Sequence, residues 1–151
     1  MKALWTLCLL ACLLVVPCRA LAAENAFVGA GACESCHPDQ FTNFNHNSRK
    51  VHSWRSIEKM SPKLTADEIK ECYACHTTGY GQPGGFTSFA ETPHLANVSC
   101  EACHGPGALH VESGDIADIR NTPDVESCTV CHNAQRVENF NFKPMLYHGG
   151  H

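Results

Sequence analysis

The chain opens on an apolar run from Ala3 to Val16, with Lys2 before it and small residues closing the stretch from Pro17 to Ala23. A basic start, a short apolar stretch and a small-residue end are the layout of a secretory signal. The run is too short to span a bilayer comfortably, so cleavage after Ala22 or Ala23 is expected rather than a membrane anchor. A lipid-modified cysteine within Leu9-Leu10-Ala11-Cys12 is the weaker alternative, because it would cut the apolar run short. Residues 1–23 are therefore read as a leader and 24–151 as one mature domain, located in the periplasm or outside the cell.

Beyond the leader the pattern predicts short helices joined by long loops. Asp39 to about Lys59 has helix-compatible composition, with Pro38 suited to a first turn and Phe41 and Phe44 three apart. Asn43, Asn45 and Asn47 weaken its middle, so two helices with a break are expected. Thr65-Ala-Asp-Glu68 is a capping box, predicting a helix that runs into Cys72. Thr122-Pro123 suggests a cap and a first-turn proline ahead of Cys128. Gly79, Gly81, Pro83, Gly84, Gly85 and Pro93 mark 77–97 as a loop. The tail from Phe140 to Tyr147 alternates weakly and is compatible with extended chain, but no pair of strands stands out. The fold class expected is mainly α with long loops.

Cysteine changes the picture most. Eight of the 11 cysteines form four strings: Cys33-Glu-Ser-Cys36-His37, Cys72-Tyr-Ala-Cys75-His76, Cys100-Glu-Ala-Cys103-His104 and Cys128-Thr-Val-Cys131-His132. The remaining three, Cys8, Cys12 and Cys18, lie in the leader. Each string is C-x-x-C-H, the attachment signature of a c-type haem: two thiols bond the haem edge and the histidine becomes the proximal iron ligand. The strings start at 33, 72, 100 and 128, and the sequences between them are too unlike to form an internal repeat. Paired cysteines also build zinc ribbons, but those do not require a histidine after every pair. Disulfides suit an exported protein but leave the invariable histidine unexplained. Four haem c groups are the reading that accounts for all four strings.

Four haems also answer a folding problem. The mature 128 residues are rich in Gly and Pro and short of aliphatic core, so haem must supply the missing apolar volume. Without haem the chain is not expected to fold.

Six further histidines compete for the second axial positions: His46, His52, His94, His110, His148 and His151. His52 follows the helix after the first string and is preferred to His46. His94 sits six residues before Cys100, and His110 six residues after His104. One of His148 and His151 is expected to complete the set. Met60 and Met145 are read as packing or surface residues.

Charge adds little. Lys2 and Arg19 leave with the leader, so the mature part carries 9 basic and 15 acidic side chains, a formal −6. That excludes nucleic acid as a natural partner and suits a redox protein with a basic docking patch, or simply solubility.

The segments from Glu71 to Gly81 and from Thr92 to Gly107 resemble the tetrahaem cytochrome c five-fifty-four family. The likeness extends from about Val28 to His151 and is strongest around the second and third strings. Members carry electrons away from hydroxylamine oxidation in ammonia oxidisers, and relatives occur in sulfate- and metal-reducing bacteria. The resemblance implies a largely helical fold filled by haems in stacked pairs, three of them bis-histidine and one lacking a distal ligand. His52 and His94 resemble the family's distal ligands after the first string and before the third. The haem on Cys72, Cys75 and His76 resembles the five-coordinate one. Related cytochromes form filaments in which one subunit's histidine ligates a haem of the next, and His148 and His151 are spare here.

The expected function is that of a periplasmic electron carrier between a redox donor and a redox acceptor, including a membrane-bound complex, in anaerobic, nitrogen or sulfur respiration. No catalytic residue is needed, and all-histidine ligation predicts low potentials. The alternatives are reduction of nitric oxide at an open haem, and a role as the subunit of an oligomer or filament.

Overall fold

The computed structural model describes residues 24–134 and 136. The leader, the tail from Phe140 to Tyr147 and the histidines at 148 and 151 lie outside the described residues. Helix is the regular structure throughout the described chain, and no strand occurs there.

Helix α1 covers Pro38–Asn47, with Pro38 in its first turn. The asparagines act as expected. Asn45 turns its amide back onto the carbonyl of Phe41 at 2.8 Å, and the helix ends two residues later. Ser48 is extended and caps a 3₁₀ turn, Arg49–His52, by accepting from the Lys50 N–H at 3.3 Å. Helix α2 follows at Trp54–Met60. The expected pair of helices with a break is therefore present.

Helix α3, Ala66–His76, begins with the capping box. The Glu68 N–H reaches Thr65 Oγ1 at 3.4 Å, and the Thr65 N–H returns to Glu68 Oε2 at 2.8 Å. Its last turn carries Cys72, Cys75 and His76, so a helix start read in sequence aims the second string directly. Two short helices follow, α4 at Glu101–His104 and α5 at Ala108–Ser113. The last, α6, spans Val125–Thr129. Its cap is Asp124, not Thr122: the carboxylate accepts from the Ser127 N–H at 2.9 Å. The short acidic side chain directly ahead of the helix outcompetes the threonine, and Pro123 falls just outside it.

The core is small and is centred on the loop at 77–97. Phe27, Phe86, Leu95 and Ala96 are buried together, with Trp54 and Tyr73 packed against them. Trp54 stacks on Phe89 and Tyr73 at 5.2 and 5.9 Å, and Tyr73 meets Phe86 edge-on at 5.1 Å. Each such pair adds about 0.5–1.5 kcal/mol beyond area burial. Glycine lets the loop fold on itself, since a Cβ on Gly85 would strike the Gly79 backbone. Thr78, wholly buried, pins the loop: its hydroxyl donates to the Asn97 carbonyl at 2.6 Å and accepts from the Ser99 N–H at 3.0 Å. The second string is thereby joined to the approach to the third.

Candidate functional site

The four strings converge as two pairs. Cys33 and Cys100 lie close enough for each thiol to shift the other's protonation, which places the first string beside the third. Cys75 and Cys131 influence each other in the same way between the second and fourth. Cys75 also lies 3.9 Å from the Val130 carbonyl, and Cys131 lies 3.8 Å from that of Ala74. Helices α4 and α6 pack together, so the two pairs adjoin. No disulfide joins any of the eight string cysteines.

Their electrostatics follow from this crowding. The hydrogen bond to Cys100, then burial, pushes the Cys33 thiol up, and the same bond pulls Cys100 down. Burial, followed by the nearby Cys75, pushes Cys131 up to about 12. Burial also raises Cys103 and Cys128.

The histidines carry a consistent signature. Nδ1 of His76 lies 3.0 Å from the Ser53 carbonyl, that of His104 2.7 Å from Arg120, and that of His110 2.8 Å from Asp115. A carbonyl only accepts, so each Nδ1 carries the proton and each Nε2 is left with its lone pair. This is how iron- and zinc-binding histidines are oriented. His76 and His104 are the histidines of their strings; His110, which belongs to none, is oriented in the same way. Burial, then the Lys50 charge, holds His132 below the usual histidine range, favouring the neutral ring that a metal requires.

His110 also faces His37. Their ring centres are 6.3 Å apart and their planes differ by 20°. Two metal–imidazole bonds of about 2 Å, each extended by roughly 1 Å to the ring centre, span about 6 Å. The gap is thus the width of one hexacoordinate iron, and these residues fit haem ligation. Among the described residues no three His, Cys, Asp or Glu side chains converge as a metal-ion site would require; haem iron asks for only one or two.

Two cavities adjoin the strings. One of about 340 Å³ lies beside Cys72 and His76, walled by Ile57, Met60, Leu64 and Arg136. Another, about 180 Å³, is bordered by His94, Phe41, Phe44 and Val98. His94 is itself exposed and packs over Gly29, where a Cβ would lie 3.2 Å from its Cδ2 atom. His52 is exposed at the end of its turn, and His46 is exposed in the last turn of α1. Neither lines a cavity described here.

One structural residue of this site escaped sequence reading. Glu101, inside the third string, is only 2% exposed. Its carboxylate accepts from the N–H groups of Val28 at 3.0 Å, Gly29 at 2.7 Å and Gly107 at 2.8 Å. It thus ties the start of the domain and the Gly105-Pro106-Gly107 bend to the third string, and supports the backbone beneath His94. A buried carboxylate must be satisfied in this way, but backbone donors leave no mark in sequence.

The chain is similar to known proteins. The family model described as cytochrome c554 and c-prime matches residues 32–105, which hold the first three strings. Cytochrome c-554 of Nitrosomonas europaea is 32% identical over 143 aligned residues, covering 76% of this chain and 60% of the relative. The chain thus spans about 60% of the length of that curated relative. No solved structure matches.

Proposed function

The chain belongs to the cytochrome c554 family, a family of haem c electron carriers with a mainly helical multihaem fold, and from that premise we propose that it is an exported carrier holding four haem c groups. Cys33 and Cys36, Cys72 and Cys75, Cys100 and Cys103, and Cys128 and Cys131 attach them, with His37, His76, His104 and His132 as proximal ligands. The haems supply one-electron chemistry; the polypeptide fixes their spacing, ligation and burial. The contacts Cys33–Cys100 and Cys75–Cys131 support two close haem pairs, first with third and second with fourth.

The observation that carries this reading is the placement of His110 opposite His37 with its Nδ1 committed to a carbonyl. It supports a closed, bis-histidine haem at the first string, which suits conduction rather than chemistry on bound molecules. His94, His52 and one of His148 and His151 are the remaining distal candidates. Donor and acceptor are redox proteins presenting basic patches to this acidic chain, and a periplasmic location follows from the leader. Stepwise redox titration tests the reading: four one-electron haem transitions support it, and fewer than four count against it.

The cavity beside His76 favours a second reading, because among the described residues none of its other lining side chains is a histidine. The haem there would be five-coordinate and able to bind nitric oxide. A purely low-spin oxidised spectrum with no nitric oxide adduct excludes it.

A further inference from the structure

Ser53 occupies the N-cap position of α2, yet its side chain makes no capping bond. A cap serine ordinarily accepts from an N–H two or three residues ahead. This hydroxyl instead donates to the backbone carbonyl of His76 at 2.8 Å and accepts from the N–H of Val98 at 2.9 Å. The Ser53 carbonyl accepts from His76 Nδ1 at 3.0 Å and from the Ser56 N–H at 3.1 Å. One residue therefore grips His76 by its ring and by its backbone. The same residue holds the segment that continues through Ser99 into Cys100. Next to it, the Trp54 N–H is fixed to Asn97 Oδ1 at 3.0 Å, so the turn carrying Ser53 is braced on both sides.

We propose that Ser53 is the positioning residue of His76: it sets the angle of the imidazole and the strength of its Nδ1 hydrogen bond, and through them the potential and spectrum of the haem at Cys72 and Cys75. The proposal rests on the reading of His76 as an iron ligand. A backbone carbonyl can tune a ligand only if it is held in place. Here the hydroxyl provides that restraint, since it binds the very residue whose ring the carbonyl receives. Losing it leaves the His76 carbonyl and the Val98 N–H without this partner and loosens the Ser53 carbonyl that receives the ring.

The test uses the full-length exported holoprotein as wild type, S53A and S53T. Haem-methyl resonances of the oxidised protein report axial ring orientation, redox titration reports each haem, and mass reports haem number. In S53A, the methyl resonances and potential of one haem shift while those of the other haems stay, and S53T restores both. If S53A lowers the melting temperature with every haem signal unmoved, Ser53 is merely a brace and the proposal is overturned. Should S53A yield no holoprotein, S53C decides the same question, with a smaller shift of that one haem expected and none overturning the proposal. A wild-type peptide carrying Cys72 and Cys75 but no haem overturns the underlying reading instead, and mass alone reveals it.

Discussion

The ring of His110 stands 6.3 Å from that of His37, although 73 positions separate them in the chain. His110 reaches this place because α5 begins directly after the Gly105-Pro106-Gly107 bend, and Gly107 is held by Glu101. The Asp115 carbonyl then turns the ring. A histidine from the segment after the third string is thus delivered to the first.

On the proposed ligation, replacing His110 is expected to open one iron. H110A is expected to keep all its haems and convert one from low to high spin, with added imidazole restoring the low-spin signal. Electron paramagnetic resonance reads the change. An H110A spectrum that stays wholly low-spin would contradict the assignment.

Glu101 accepts from three backbone donors in a site sealed from water. E101Q places an amide N–H₂ against those donors and leaves at least one unsatisfied. The cost expected is on the order of 1–3 kcal/mol, read as a lower denaturant midpoint of the holoprotein. An unchanged midpoint would show that the carboxylate is not the tie.

Gly29 has φ +83° and ψ 157°, a conformation open essentially to glycine alone. G29A should cost roughly 1–3 kcal/mol from backbone strain, and its methyl group also presses on His94. Denaturation and the low-spin signals of the oxidised protein should therefore change together. A change in stability alone would separate His94 from the haem sites.

Acid should loosen two helix starts. Hydrogen bonds from Thr65 hold Glu68 below its ordinary value of 4.5, and those from Ser127 hold Asp124 below 3.8. A carboxyl group whose folded value is depressed contributes stability above its unfolded value and loses it as pH falls through the folded one. The loss therefore begins below about pH 4.5 for α3 and lower for α6. The double variant E68Q/D124N, which cannot titrate at these caps, should show a flatter acid limb in helical circular dichroism; an identical limb would contradict the linkage.

Local features were legible in the residues because they depend on near neighbours. The capping box at Thr65 and Glu68, the asparagine break after Phe44 and the attachment strings all act within a few positions. The cap of α6 was misplaced because Thr122 and Asp124 both have capping chemistry, and only geometry decides between them. The loop at 77–97 was legible as loop, but its glycines concealed that it carries the core, because close backbone approach leaves no hydrophobic period. The pairing of first with third string and second with fourth is absent from the spacing along the chain. It arises from contacts such as Glu101 with the Gly29 N–H and Cys75 with the Val130 carbonyl, in which a side chain meets remote backbone. His110 was a candidate by proximity alone; its Nδ1 partner, a carbonyl, has no sequence signature.

The mass of the mature protein, measured intact and after proteolysis, tests the central claim most directly. Four haem groups should be found, one on each peptide containing Cys33, Cys72, Cys100 or Cys128. A mature protein with any of these peptides unmodified, or with metal or disulfides in place of haem, would contradict it.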